Sequence, residues 1–270
     1  MKKNERAAAI VRTIVVSLIA VLFVVPLVWM VLSSLKTAPE VFARPFHWLP
    51  AKAQWQNYAT VWMNEEASML RAFANTLYIA LFSIVGQMFI SSLAAYSFAK
   101  INFKGKQVVF MLFLSSMMVP SQLTIIPRFM LFKTIGLYNN LWAIILPAFF
   151  GATSIFMLRQ FYMGLPNDLI EAAKIDGAGH LRIFLRIMLP LTKAALMSLI
   201  ILAFISSWNE YMAPLIFLVK KELYTVSQNI QWYMLDEFKE HNLTMAAATS
   251  AIVPVVILFI VGQKYFVEGI

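Results

Sequence analysis

The chain has 270 residues, 61% hydrophobic and 13% charged, with a mean hydropathy of +0.74, whereas soluble domains are roughly 45 to 50% apolar and 25% charged. No water-soluble fold buries that much apolar surface, and at about 20 residues per membrane-spanning helix plus loops the length allows about six spans. The net charge of +9 comes from Lys and Arg set in short loops between apolar runs rather than gathered on one face, which excludes a nucleic-acid partner, and the absence of Cys excludes disulfides, a thiolate nucleophile and a Cys-ligated metal.

The first apolar run, Thr13 to Leu35, follows Lys2, Lys3, Arg6 and Arg12. It is longer than the apolar region of a secretory signal and is read as an uncleaved first helix. Lys36 to Arg71 forms a long external segment carrying Trp48, Trp55 and Trp62. Spans two, three and four are expected at Ala72 to Ala99, Gln107 to Leu131 and Leu141 to Phe161. A polar loop separates them from span five, Met188 to Met212. A second external segment, Val219 to Thr244, carries Trp232 and Tyr233 and leads into span six, Met245 to Phe266. The runs lack the two-residue alternation of barrel strands, so the expected fold is an all-α integral membrane protein of six transmembrane helices. Pro26, Pro120, Pro127 and Pro147 lie in or near spans, where neighbouring helices satisfy the freed carbonyls. The external aromatics read as interfacial anchors or as a docking rim for an outside partner. Asn242-Leu-Thr244 fits a glycosylation sequon, a pattern too common to carry weight.

Counted by alternating side, thirteen Lys and Arg fall with the two termini and nine on the opposite side, the latter including Arg128 and Lys133 at the exit of span three. The cation-rich loops are also the shorter and less acidic ones, which places both termini in the cytoplasm.

The loop between spans four and five is the one polar segment with helix punctuation. Pro166 suits a first turn, Asn167 and Asp168 supply caps and favourable charge, and Gly177 is a left-handed stop. A helix of about ten residues, a bend and a second helix running into span five follow from this pattern. Ala172 and Ala173 would let another protein approach closely, and Glu171 offers a partner charge; Ala and Glu are equally ordinary helix formers, so composition leaves docking helix and solvated linker both open.

The order Glu171-Ala-Ala-Lys-Ile-Asp-Gly-Ala-Gly-His-Leu-Arg-Ile-Phe-Leu-Arg-Ile-Met-Leu-Pro190 resembles the EAA loop of binding-protein-dependent ABC importer permeases. Leu93-Ala-Ala-Tyr-Ser-Phe-Ala-Lys100, Pro120-Ser-Gln122, Gly136-Leu-Tyr-Asn-Asn140, Leu158-Arg-Gln-Phe161 and Ser207-Trp-Asn-Glu-Tyr-Met-Ala-Pro-Leu-Ile216 are similar to the carbohydrate-uptake branch, and within it to the six-helix subunit of the MalG type. The likeness runs from about Phe73 to the end. It departs at Ala194, where relatives carry Pro, and at Gly269-Ile270, where relatives continue for several residues.

The resemblance implies a single permease domain over residues 1–270, with Glu171, Ala172, Ala173, Asp176 and Gly177 on a cytoplasmic coupling helix seated in a cleft of an ATPase subunit. Closure of the ATPase pair would rock the spans between inward-facing and outward-facing states. The implied partners are a second homologous permease subunit, two cytoplasmic ABC ATPase subunits, an extracytoplasmic solute-binding protein and membrane lipid. The chain has no P-loop pattern and needs no cofactor of its own, ATP and Mg residing on the ATPase subunits. It is thus expected to be a transport subunit rather than an enzyme.

Trp208, Asn209, Glu210 and Tyr211 are the expected substrate-path residues. Glu210 is the only acidic residue near a span interior, Asn209 donates and accepts hydrogen bonds, and Trp208 or Tyr211 could stack on a sugar. The competing reading has Glu210 at the external interface against the partner permease, with both aromatics in the belt. Ser83, Ser91, Ser92, Ser97, Ser115 and Ser116 read equally as path or as helix packing. Solutes under consideration are a sugar or oligosaccharide, with a glycerol phosphate ester as the alternative. A secondary carrier would want buried carboxylates or His relays, and a membrane enzyme clustered His, Asp or Glu; the expected spans one to four hold no carboxylate well inside them, and His47, His180 and His241 are expected in loops. A purely structural membrane subunit would look much the same in composition.

Overall fold

A computed structural model describes residues 2–235 and 240–268. Gly269 and Ile270, where the resemblance departs, lie outside the described residues, as does Lys239 among the external cations. Among the described residues there is no strand. In chain order the helices are α1 (Lys2–Ser34), α2 (Ala38–Val41), α3 (Gln56–Met63), α4 (Met69–Lys100), α5 (Lys106–Ser115), α6 (Ser121–Thr134), α7 (Trp142–Ala148), α8 (Ala152–Gly164), α9 (Asp168–Ile175), α10 (His180–Ile183), α11 (Leu189–Leu191), α12 (Lys193–Trp208), α13 (Met212–Phe217), α14 (Val226–Leu235) and α15 (His241–Glu268). Short 3₁₀ turns occupy Ser116–Met118 and Lys221–Leu223, and a π segment occupies Phe184–Met188.

Among the described residues, four helical stretches are long and apolar enough to cross a membrane: Ala8–Ser34, Met69–Lys100, Trp142–Gly164 and His241–Gln263. The stretches expected as continuous spans three and five are instead bent pairs. Lys106–Met118 and Ser121–Thr134 meet at 96°, and His180–Leu191 and Lys193–Trp208 meet at 77°. Proline chemistry accounts for the first bend. Pro120 has no N–H to donate and its ring forces Val119 out of the helical region, to φ −83° and ψ 112°. At the second, the π segment runs into Pro190, and Thr192 turns its hydroxyl back onto the carbonyls of Met188 and Leu189, both at 3.1 Å.

The helices fall into two compact units. One draws on the described residues between 2 and 69 and between 229 and 253. Its organising residue is Asn57, whose buried Nδ2 donates to the carbonyls of Ser34 (2.8 Å) and Lys36 (2.9 Å) while its Oδ1 accepts from Asn242 Nδ2 (3.0 Å). Asn242, the sequon residue, is therefore spent on packing. Tyr233 is 2% exposed and donates from its hydroxyl to the Ala67 carbonyl at 3.1 Å, and Trp62 donates to Ser250 Oγ at 3.1 Å. Both aromatics hold the unit together. Trp48 and Trp55 are the exposed ones. At the start of α2, Thr37 N–H donates to Glu40 Oε2 at 2.9 Å, and that bond holds the Glu40 carboxyl below its ordinary pKa.

The other unit comprises the described residues between 70 and 228 and from 254 on. It has two apolar clusters. One joins Met88, Ala95 and Tyr96 of α4 with Leu158 and Tyr162 of α8, Ile170 and Ala173 of α9, Phe184, Met188 and Leu199. The second joins Ile79, Phe132, Ile144, Ile145 and Phe217. Asn139, in the left-handed region at φ 59°, ties the turn after α6 to the end of α13: its N–H donates to the Phe217 carbonyl (2.9 Å), and its Oδ1 accepts from the N–H groups of Val219 (3.2 Å) and Lys220 (3.1 Å). Most of the span serines are engaged in helix packing. Ser97, Ser115 and Ser116 bond carbonyls of their own helices, and Ser91 and Ser92 are buried.

Candidate functional site

Two places concentrate polar chemistry, both within the second unit. The first is α9. Its eight residues end in a full Schellman stop: Gly177 sits at φ +75°, its N–H bonds the Lys174 carbonyl at 3.0 Å, and the Ala178 N–H bonds the Ala173 carbonyl at 2.9 Å. No atom lies within 4 Å of where a Gly177 Cβ would stand, so glycine is required by backbone angle alone. Asn167 does not cap with its side chain. Its Oδ1 instead accepts from Lys100 Nζ at 2.7 Å, and the same ammonium donates to the Leu165 carbonyl at 2.7 Å, pinning the foot of α9 to the end of α4.

Of the five residues marked for docking, Glu171, Ala172, Asp176 and Gly177 are exposed. Ala173 is turned inward, 8% exposed, and packs with Ile170 into the cluster of Tyr96, Leu158, Tyr162 and Phe184. Adjacent helical residues point about 100° apart, so the two alanines do different jobs: Ala173 lets α9 lie close on its own spans, and Ala172 faces out. Ile175 is 86% exposed beside it, an outward apolar residue that the sequence reading passed over. Where the chain turns into span five, Tyr96 Oη and His180 Nδ1 share a hydrogen bond of 3.0 Å.

The second place is a cavity of about 460 Å³ walled by α4, α6, α7, α12 and the break before α13. Its polar lining includes Ser83, Gln87, Gln122, Arg128, Ser207 and Glu210. Of the four residues expected on the substrate path, Glu210 alone lines it. Trp208 is 2% exposed, stacked on Phe204 with centroids 5.4 Å apart and edge-on to Phe73 at 5.3 Å. Asn209 spends its Nδ2 on the Ile205 carbonyl at 2.9 Å. Tyr211, half-buried, forms no wall of the cavity. One oxygen of Glu210 accepts the Ala213 N–H at 3.0 Å, which starts α13 and fixes the carboxylate at the cavity edge.

The chain matches the model of the family described as binding-protein-dependent transport system inner membrane component over residues 87–270. The chain belongs to this family. Among similar proteins, this permease is 33% identical over 260 residues to the arabinooligosaccharides transport system permease protein AraQ of Bacillus subtilis, covering 96% of this chain and 92% of AraQ. It is 30% identical over 263 residues to the sn-glycerol-3-phosphate transport system permease protein UgpE of Pectobacterium atrosepticum, covering 95% of this chain and 93% of UgpE. Its fold is that of a chain in the crystal structure of a bacterial ABC transporter involved in the import of the acidic polysaccharide alginate, with a TM-score of 0.86, 24% identity, and coverage of 97% of this chain and 98% of that one.

As an ABC importer permease subunit the chain is a multi-pass membrane component serving transport rather than catalysis, in a system with a solute-binding protein and an ATPase. Among the described residues no group of three His, Asp or Glu is placed to hold a metal ion. The family match spans α9 and most of the cavity lining. Gln87 and Arg128 line the cavity without being marked as site residues in the sequence, where Arg128 stands only as a cation at the exit of span three. The signal was present: it lies inside the third apolar run, where an ionisable side chain is costly enough to mark a functional place.

Proposed function

We propose that this permease forms half of the translocation pathway of an ATP-driven importer for a sugar or oligosaccharide. In this reading the chain is one permease domain with six spans, two of them broken, and both termini face the cytoplasm. It pairs with a second homologous permease subunit, two ATPase subunits that hold ATP and Mg, and an external solute-binding protein. α9 is the coupling helix. Glu171, Ala172, Ile175 and Asp176 meet the ATPase cleft, Gly177 ends the helix where the chain must turn away, and Ala173 transmits the movement inward.

The observation that carries this reading is the two-sidedness of α9: one face open, the other packed into the same apolar cluster as α4, α8 and α12. A push on the open face moves those spans together, because a close-packed core transmits displacement. On the transport side, Glu210 belongs to the path, while Trp208 supports it from behind. The likeness to UgpE favours a second reading, a glycerol phosphate ester as solute.

The test is ATPase activity of the co-expressed complex in proteoliposomes, with binding protein loaded with arabinotriose or with sn-glycerol 3-phosphate, comparing the natural chain with Glu171→Lys and Gly177→Asp. Solute-stimulated hydrolysis that collapses in both variants, with assembly of the permease pair intact, supports the coupling helix. Unchanged turnover and uptake would reduce α9 to a linker and remove the main support for the mechanism.

A further inference from the structure

The cavity of about 460 Å³ lies in the size range of small-ligand sites. Its lining is polar in an unusual way for a membrane-spanning unit: two ionisable residues of opposite sign, Arg128 and Glu210, stand among amides and hydroxyls. α6 presents Gln122, Ile125 and Arg128 to it, positions spaced by three so that one face of the half-helix forms the wall. The bend at Pro120 turns that face inward.

Arg128 is held but not satisfied. Its guanidinium lies over the ring of fully buried Phe217, 4.9 Å from the centroid, and its Nε–H, sealed from solvent, has no hydrogen-bond partner. Ser83 Oγ, also sealed and lining the same cavity, has none either. Buried polar groups are normally bonded, and those left over at a cavity wall are available to an occupant or to water. Glu210 contributes a Coulombic attraction to Arg128 and keeps one carboxylate oxygen beyond the bond to Ala213 N–H.

We infer that Arg128 and Glu210 form a charge-balanced subsite for an uncharged polyhydroxylated solute, the guanidinium donating to and the carboxylate accepting from its hydroxyl groups. This inference rests on the importer reading and narrows it. A neutral sugar needs donors and acceptors side by side without net charge, and Gln87, Gln122 and Ser207 extend that mixed lining. An anionic solute would gain Arg128 and meet Glu210, so the pair discriminates against it. Arg128 is then a specificity-determining residue of the path.

The absence of Cys from the chain makes a direct test simple. Ala203, which lines the cavity, is changed to Cys in the full transporter complex, and labelling of this subunit by an anionic and a cationic methanethiosulfonate is followed by mass spectrometry. With each rate normalised to that reagent's rate with a free thiol, the two reagents should react alike within about threefold when the pair is intact, whereas Glu210→Gln should favour the anionic reagent and Arg128→Gln the cationic one by roughly tenfold, the scale on which a one-signed cleft enriches counter-ions. Arg128→Lys, which keeps the charge, should leave the ratio near that of the parent and guards against misfolding as the cause.

Maltose and arabinotriose at millimolar concentration should slow labelling of the parent, and glucuronate and sn-glycerol 3-phosphate should not. Ratios unmoved by either neutralising variant, or protection by the anions alone and lost in Arg128→Gln, would overturn the inference. ATPase activity stimulated by loaded binding protein is measured on the same preparations. Failure of that stimulation strikes the importer reading, whereas a stimulated complex with an unmoved labelling ratio strikes only the charge-balanced subsite.

Discussion

Ile175 offers the sharpest test of how α9 is used. It is 86% exposed, at the end of a helix whose inner face is already packed, so changing it costs the permease almost nothing in its own fold. Full burial of an Ile side chain is worth about 1.5 to 3 kcal/mol, and the free 86% therefore corresponds to about 1.3 to 2.6 kcal/mol gained on docking. At about 1.4 kcal/mol per factor of ten, Ile175→Asp should weaken ATPase-subunit binding by at least roughly 10- to 70-fold, with the desolvation of a carboxylate adding to the loss. The assay titrates labelled ATPase subunits onto the permease pair in nanodiscs and reads polarisation, while thermal unfolding is recorded in parallel. Unchanged affinity together with an unchanged melting temperature would refute the assignment of this face to docking. Weaker binding accompanied by a large drop in melting temperature would refute the claim that Ile175 is free of the permease's own core.

Three further outcomes follow from the geometry. Gly177→Ala meets open space but must hold φ +75°, which costs about 1 to 2 kcal/mol; Gly177→Asn, more at ease in the left-handed region, should lose less, and the order of the two melting temperatures checks this. Gly86→Ala would put a Cβ 2.2 Å from a ring carbon of Phe149 beside the cavity wall, so α4 and the end of α7 must separate; a destabilisation of about 1 to 3 kcal/mol and faster labelling of Ala203→Cys are expected. Asn57→Ala strips partners from the Ser34 and Lys36 carbonyls and from Asn242 Nδ2, and should cost about 2 to 5 kcal/mol, seen as early protease cleavage in the segment between α1 and α3.

The local features were legible because they are written in consecutive residues. Long apolar runs require helices in a membrane, Gly177 marked a left-handed stop, and the ordered stretch from Glu171 to Pro190 carried the family resemblance before any geometry was known. Pro120 was visible too, but a proline inside an apolar run is compatible with a straight, kinked or broken span, and neighbouring helices choose between them. In this chain the choice was a 96° bend, which brings Gln122 and Arg128 onto a cavity wall.

By itself, then, the sequence determined an all-helical membrane subunit of an importer and the position in the chain of the short polar helix α9, since apolar length and motif order are local properties. Tertiary structure decided which face each residue takes. It turned Ala173 inward and left Ile175 outside, moved Asn167 from capping to holding Lys100, buried Trp208 and Tyr233 as packing, and set Arg128 across from Glu210. Those assignments depend on contacts between segments far apart in the chain, and no periodicity within one segment records what another segment will lay against it.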